Sequence, residues 1–190
     1  MFSKTISRRH FALIFYGLCV AAPASWGLTI QGGAHVGVMQ QPTSNYFLGI
    51  YGATGDVMRD DHSLFFRLAY FERPEFRNNG FADKDFGGFA MAGSQILRRG
   101  EGEVLAMLGA GQMLGYTRVL GHDPDPTDEA HKRHYRLTGL TTALEYAYHW
   151  LGVDFAVSHQ AFIGYDGTTQ LAALVAWPYT FFLGKMGVRW

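Results

Sequence analysis

Ser158 and His159 stand side by side in the run Gly152-Val153-Asp154-Phe155-Ala156-Val157-Ser158-His159-Gln160-Ala161. A hydroxyl and an imidazole are the groups of a nucleophile and its general base, and Asp166 lies near enough in sequence to orient such a base. The run alternates apolar residues with small or polar ones. That is the period of a strand, whose neighbouring side chains point to opposite faces. Ser158 therefore belongs with Asp154 and Ala156, and His159 with Val153, Phe155 and Val157.

Other groups that could do chemistry are spread along the chain. His122, Asp123, Asp125, Asp128, Glu129, His131 and His134 crowd one stretch, and oxygen-rich loops take calcium while His pairs take zinc. However, Asp123-Pro124-Asp125-Pro126-Thr127-Asp128 lacks the Gly that a twelve-residue calcium loop needs for its turn. The stretch reads as a solvated acidic loop, so no metal site is expected. No phosphate-cradling Gly loop, Ser-His-Asp elbow or paired Cys appears either, so no cofactor is expected.

The elements that must position these residues are announced at the C-terminus. In the last nine residues Phe182, Gly184, Met186, Val188 and Trp190 fall on one face of an extended strand, and Lys185 and Arg189 fall on the other. A strand with lipid on one side and a polar interior on the other ends in this way. The pattern resembles the C-terminal assembly signal of bacterial outer-membrane β-barrels. That resemblance implies recognition by the barrel assembly machinery through Phe182, Met186, Val188 and Trp190.

At the N-terminus Lys4, Arg8 and Arg9 precede an apolar run from Phe11 to Ala22, with small residues at Ala22-Pro23-Ala24 and Ser25 to Gly27. This reads as an export signal over residues 1–27, too short to span a bilayer that needs roughly 20 apolar residues in helical form. Residues 28–190 are then one domain. Cys19, the only cysteine, leaves with the signal. The chain carries 16 basic and 16 acidic residues, and Lys4, Arg8 and Arg9 leave with the signal, so 13 basic residues face 16 acidic ones in the remainder. That balance gives no nucleic-acid surface.

Short alternating segments fill residues 28–190, with 24 Gly in the chain and 15% aromatics. Strands are expected at 28–39, 45–56, 62–73, 85–97, 103–118, 133–149, 151–163 and 170–190. They predict an all-β, eight-stranded antiparallel transmembrane up-and-down barrel. Arg98 to Gly102, the His149-Trp150 corner and Asp56 to Asp61 are expected as periplasmic turns. Pro74 to Lys84 and Leu120 to Lys132, rich in charge, Pro and Asn, are expected as long outer loops, with Gln40 to Ser44 and Gly164 to Thr169 as shorter ones.

Alternation then assigns faces. Leu64, Phe66, Leu68 and Tyr70 should face lipid, as should Leu140, Leu144, Tyr146, Tyr148 and Trp150 and, in the seventh strand, Leu151, Val153, Phe155 and Val157. Segments 45–56 and 103–118 are apolar on both faces and stay unassigned. Arg67, Glu145, Asp154 and Lys185 fall inside, with Gln31 and His35. Groups inside a membrane zone must be paired or face water, and eight strands leave an interior only just wide enough for side chains. These charges are expected to form an interior network.

The seventh-strand run resembles the corresponding strand of the lipid A 3-O-deacylases, a family of eight-stranded outer-membrane enzymes, and Glu103 to Gly115 is similar to that family's Gly-rich fifth strand. The resemblance implies His159 as a base acting on a membrane lipid, with Ser158 the hydroxyl beside it. The family's Ser two residues beyond the base is replaced here by Ala161. Two functions follow as expectations. One is a non-catalytic, monomeric outer-membrane barrel whose outer loops contact lipopolysaccharide or envelope partners. The other is an acyl hydrolase or acyltransferase acting on lipid A through His159.

Overall fold

The computed structural model describes residues 27–41, 47–59, 63–78, 81–119, 132–167 and 178–189. The expected export signal up to Trp26, most of the acidic stretch after Val119 and the terminal Trp190 lie outside these residues. Eight strands follow one another in chain order: β1 Leu28–Gln40, β2 Phe47–Arg59, β3 Phe65–Asn78, β4 Phe81–Arg99, β5 Gly102–Val119, β6 Lys132–Trp150, β7 Val153–Tyr165 and β8 Tyr179–Arg189. Each pairs antiparallel with its neighbour, and β1 pairs with β8 to close the barrel. Closure leaves no exposed sheet edge, the condition for a sheet to live in hydrocarbon.

The two ends differ. At the turn end, β4 and β5 are joined through Gly100 and Glu101, and β6 and β7 through Leu151 and Gly152. Gly100, Leu151 and Gly152 all have positive φ, at 60°, 48° and 81°. Two consecutive positive values are what a tight two-residue hairpin requires, and Leu151 accepts the left-handed conformation there. At the loop end lie the connections 41–46, 79–80, 120–131 and 166–178.

Several connections differ from expectation, among them the corner expected at His149-Trp150, which falls instead at Leu151 and Gly152 with both former residues inside β6. Pro74 to Lys84 is not a loop: β3 runs to Asn78 and β4 starts at Phe81, leaving only Asn79 and Gly80 between them. Asn-Gly is the strongest short hairpin signal, and charges at the two ends of the segment pair across the ladder, Arg73 with Asp85 and Glu72 with Lys84. A bulge between Arg73 and Phe76 takes up the irregularity around Pro74. The last connection is also longer than Gly164 to Thr169, because β8 starts only at Tyr179, directly after Pro178, which has no N–H to give a ladder. Asp56, expected to open a turn, lies within β2.

The expected faces hold along β3, β6 and β7, except that Leu151, expected on the lipid face, lies in the turn before β7. Leu64, Phe66, Leu140, Leu144, Tyr146, Tyr148, Trp150, Phe155 and Val157 are exposed on the outside, while Arg67, Ala69, Phe71, Thr141, Ala143, Glu145 and Asp154 are buried inside. The two segments apolar on both faces are oriented by the closed barrel: β2 turns Ile50, Thr54 and Asp56 inward, and β5 turns Glu103, Leu105, Met107 and Met113 inward.

The core is the barrel lumen. Phe71, Phe89, Phe162 and Phe181, from β3, β4, β7 and β8, form one aromatic layer across it, with ring centroids 5.2 to 5.6 Å apart in successive contacts. So many rings fit in a narrow lumen because glycines face them. A Cβ at Gly87 would stand 2.7 Å from Phe71 Cε1, closer than carbon atoms approach without displacement.

Candidate functional site

Four charges from four strands meet in the middle of the lumen. Arg67 donates through Nε and Nη2 to the two carboxylate oxygens of Asp56, at 2.7 and 2.8 Å. It also donates through Nη1 and Nη2 to Glu145, at 2.5 and 2.8 Å. Lys185 Nζ completes the group, 3.0 Å from Asp56 and 3.4 Å from Glu145. All four side chains are almost fully buried. Two cations and two anions sum to zero, which allows such groups to sit in low dielectric at all. Arg67 also lies over the Phe65 ring, 5.7 Å from its centroid.

Of the four residues expected to form this network, Arg67, Glu145 and Lys185 meet here and Asp154 does not; Asp56 takes its place. Asp154 lies nearer the turn end, where Gln31 Nε2 donates to it and the His149 ring bridges it to Glu103, whose Oε1 is 2.7 Å from His149 Nε2. Asp154 and Glu103 are both buried, and the His149 ring lies between them with one nitrogen facing each carboxylate. Toward the loop end, beyond the phenylalanine layer, Arg73 pairs with Asp85, and Gln41 donates to Asp85 at 3.3 Å. Polar and aromatic layers thus alternate along the axis and fill the bore.

Sequence reasoning missed Asp56, Glu103, Arg73, Asp85 and His149 as interior groups. Asp56 carried a usable signal, because it continues the every-second-residue line Ile50, Gly52, Thr54. Arg73 continues the inward line Arg67, Ala69, Phe71 of β3, and Asp85 shares the parity of Gly87, Phe89 and Met91 in β4, so the same alternation reaches both.

His35 is buried inside as expected, and neither ring nitrogen has a hydrogen-bond partner. It borders a narrow cavity lined by Thr54, Arg67, Glu145, Ser158, Gln160 and Lys185. Gln160 in turn donates to Thr141 Oγ1 at 3.0 Å.

His159 and Ser158 are not brought together. Ser158 borders the interior cavity, while His159 is on the outside, its ring against Phe182 with centroids 5.0 Å apart. A shallow exterior groove beside His159 is lined by Val104, Leu144, Tyr146, Val157, Phe182 and Gly184, and Ser158 and Leu183 also border it. Gly184 leaves it flat, since a Cβ there would meet nothing closer than 3.8 Å. Ser158 has the inward parity of its strand, and among the described residues no hydrogen bond joins the His159 ring to the hydroxyl of Ser158 or of Tyr146. Among the described residues no group of three His, Cys, Asp or Glu side chains is placed to hold a metal ion.

At the sequence level no protein family and no curated protein matches the chain. Solved structures do match in three dimensions. The attachment invasion locus protein Ail of Yersinia pestis superimposes with a TM-score of 0.58 at 11% identity, over 86% of this chain and 99% of that one. Ail in complex with the heparin analogue sucrose octasulfate gives 0.55 at 10% identity, over 86% and 97%. A major outer membrane protein from Thermus thermophilus gives 0.55 at 9% identity, over 86% and 99%. At these identities the likeness is one of fold: this chain has the architecture of small outer-membrane β-barrels.

Proposed function

We propose that the chain is a small bacterial outer-membrane barrel, exported by its N-terminal signal, whose function is exercised at the loop end and not in its lumen. The loop end faces outward, and its connections contact lipopolysaccharide or other envelope components. The observation that carries this reading is the filled bore. Among the described residues, a neutral quartet, an aromatic layer and two further paired clusters occupy successive levels of the lumen. We read the role as non-catalytic, with stability inside and recognition outside. Insertion through the assembly machinery rests on the outward-facing line Phe182, Met186 and Val188, continued in sequence by Trp190.

The test is to replace residues 121–131 with a Gly-Ser linker and compare cells producing the two barrels. The expected result is unchanged recovery in the outer-membrane fraction together with loss of co-purifying lipopolysaccharide or envelope protein. Unaltered co-purification would remove the assignment to this loop. A lipid-modifying role with His159 as base is the second reading, favoured by the position of His159 on the lipid-facing side next to the apolar groove. It requires a nucleophile other than Ser158. Lipid A from cells with and without the protein, compared by mass spectrometry, decides it: altered acyl chains that revert with His159→Ala support the enzyme, and identical lipid A rejects it.

A further inference from the structure

The outside of the barrel changes character abruptly along β5 and β6. From the turn end, the exterior positions of β6 run Trp150, Tyr148, Tyr146, Leu144, Thr142 and Leu140, and only then Thr138, Arg136 and His134. Those of β5 run Val104, Ala106, Leu108 and Ala110, then Gln112, Leu114 and Tyr116. The switch from apolar to polar comes at one level on both strands, since Gln112 pairs with Thr138 and Leu114 with Arg136. In a barrel that crosses a membrane, this level marks the boundary between hydrocarbon and headgroups.

Arg136 stands at that boundary and is fixed there. With the Gln112 amide in the orientation that satisfies its neighbours, the amide oxygen accepts from Arg136 Nε and Nη2, each at 2.8 Å, and from Thr138 Oγ1 at 3.2 Å. The clamp occupies one edge of the guanidinium and leaves Nη1 outside it. Among the described residues no carboxylate neutralises Arg136. Lys84, on the outer face of β4, differs in this respect, being held 3.0 Å from Glu72, which also accepts from Tyr70.

One pleat further along, Tyr116 pairs with His134, and their rings lie 6.0 Å apart. The next pair with the same parity is Arg118 opposite Lys132. In register, Arg118, Lys132 and Arg136 occupy positions of one parity on one ribbon at the membrane rim. A phosphate at this level takes up the open end of the Arg136 fork, whose geometry matches phosphate oxygens.

We propose that this exterior ribbon of β5 and β6 binds the phosphate groups of an outer-leaflet lipid, of the chemistry carried by lipid A. The inference rests on the outer-membrane reading above and adds a site on the barrel wall, distinct from the loops. The source is lipid because Arg136 shares its face with Leu140 and Leu144, so a phosphate arrives from the bilayer side with its acyl chains lying on those residues.

The test uses the full barrel in phosphatidylcholine nanodiscs containing either phosphorylated lipid A or the same lipid A with its phosphates removed. Native mass spectrometry then reads the fraction of barrel that retains lipid A. The wild type should retain the phosphorylated form preferentially. Arg136→Gln combined with Arg118→Gln and Lys132→Gln should reduce retention by about tenfold or more, since the first removes a charge-assisted hydrogen bond and the other two remove positive charge from the same ribbon. Gln112→Leu, which frees Arg136 without removing charge, should weaken retention less. None of these positions has the parity of the lumen, so urea unfolding of the variants should match the wild type and show that they remain folded. Equal retention by the triple variant, equal retention of the dephosphorylated lipid, or full competition by inorganic phosphate would each overturn the site. Absence of the protein from the outer-membrane fraction of cells would instead overturn the compartment, a result the nanodisc experiment does not depend on.

Discussion

Arg67→Ala is the substitution that most directly probes the lumen. It removes four hydrogen bonds at once, two to Asp56 and two to Glu145, and leaves two buried carboxylates sharing one cation, Lys185, at 3.0 and 3.4 Å. The quartet goes from neutral to a net charge of minus one in a region that water does not reach freely. Breaking a buried ion pair by removing one partner costs about 3–5 kcal/mol, because the group left behind keeps its desolvation penalty. Lys185→Met should cost less, since Arg67 still bridges both carboxylates. Replacing all four residues by apolar or amide counterparts of similar size, Arg67→Met, Asp56→Asn, Glu145→Gln and Lys185→Met, should recover much of the loss. The assay is reversible urea unfolding of the barrel refolded into lipid vesicles, followed by tryptophan fluorescence. Conductance is recorded in parallel in a planar bilayer. A shift below about 1 kcal/mol for Arg67→Ala, in the range of an exposed ion pair, would refute the account of a sealed, charge-balanced plug. So would ion flux appearing on that single substitution, because the phenylalanine layer is untouched and should still close the bore.

Two further substitutions test the neighbouring layers. His149→Leu removes the ring bridging Glu103 and Asp154; a loss of roughly 2 kcal/mol is expected in the same urea experiment, and an unchanged midpoint would show that the turn-end cluster is solvated and not structural. Gly87→Val places a Cβ 2.4 Å from the backbone carbonyl oxygen of Gln112 and 2.7 Å from Phe71 Cε1, so it presses on both the neighbouring strand and the ring. Displacing Phe71 from its contacts with Phe89 and Phe181 should cost about 1–3 kcal/mol as overpacking, and a variant as resistant to urea as the wild type would contradict the packing of rings against glycines.

Much of this protein is legible in its sequence because a β-strand has a strict period of two and a membrane barrel has two very different solvents. Once a segment is a strand, alternation alone decides that Arg67, Glu145 and Lys185 point inward and that Leu144, Phe155 and Val157 point outward. The same rule separates Ser158 from His159, since adjacent residues of a strand cannot share a face. The limits of this reading were equally physical. Around Pro74 the charges of Glu75, Arg77, Asp83 and Lys84 suggested a loop, because a single chain segment does not reveal that its halves pair as a hairpin, with Lys84 meeting Glu72 and Glu75 accepting from Tyr116 of β5. In β2 and β5, where both faces are apolar, alternation carries no contrast and only closure of the barrel settles which side is inside.

Alternation also gives a face but never a height along the barrel axis. Height is set by register and by the stagger with which β1 meets β8, and that decided which inward charges could touch. Glu145 reaches Arg67 across 78 positions of sequence, and Lys185 reaches Asp56 across 129. Asp154 shares their face but lies nearer the turn end, so it pairs with His149 and Gln31 instead. The sequence by itself determined an alternating chain with lipid on one side and polar groups on the other. Only the tertiary structure decided which polar groups form a neutral set, because charge balance in a closed lumen depends on strands far apart in the chain arriving at one level.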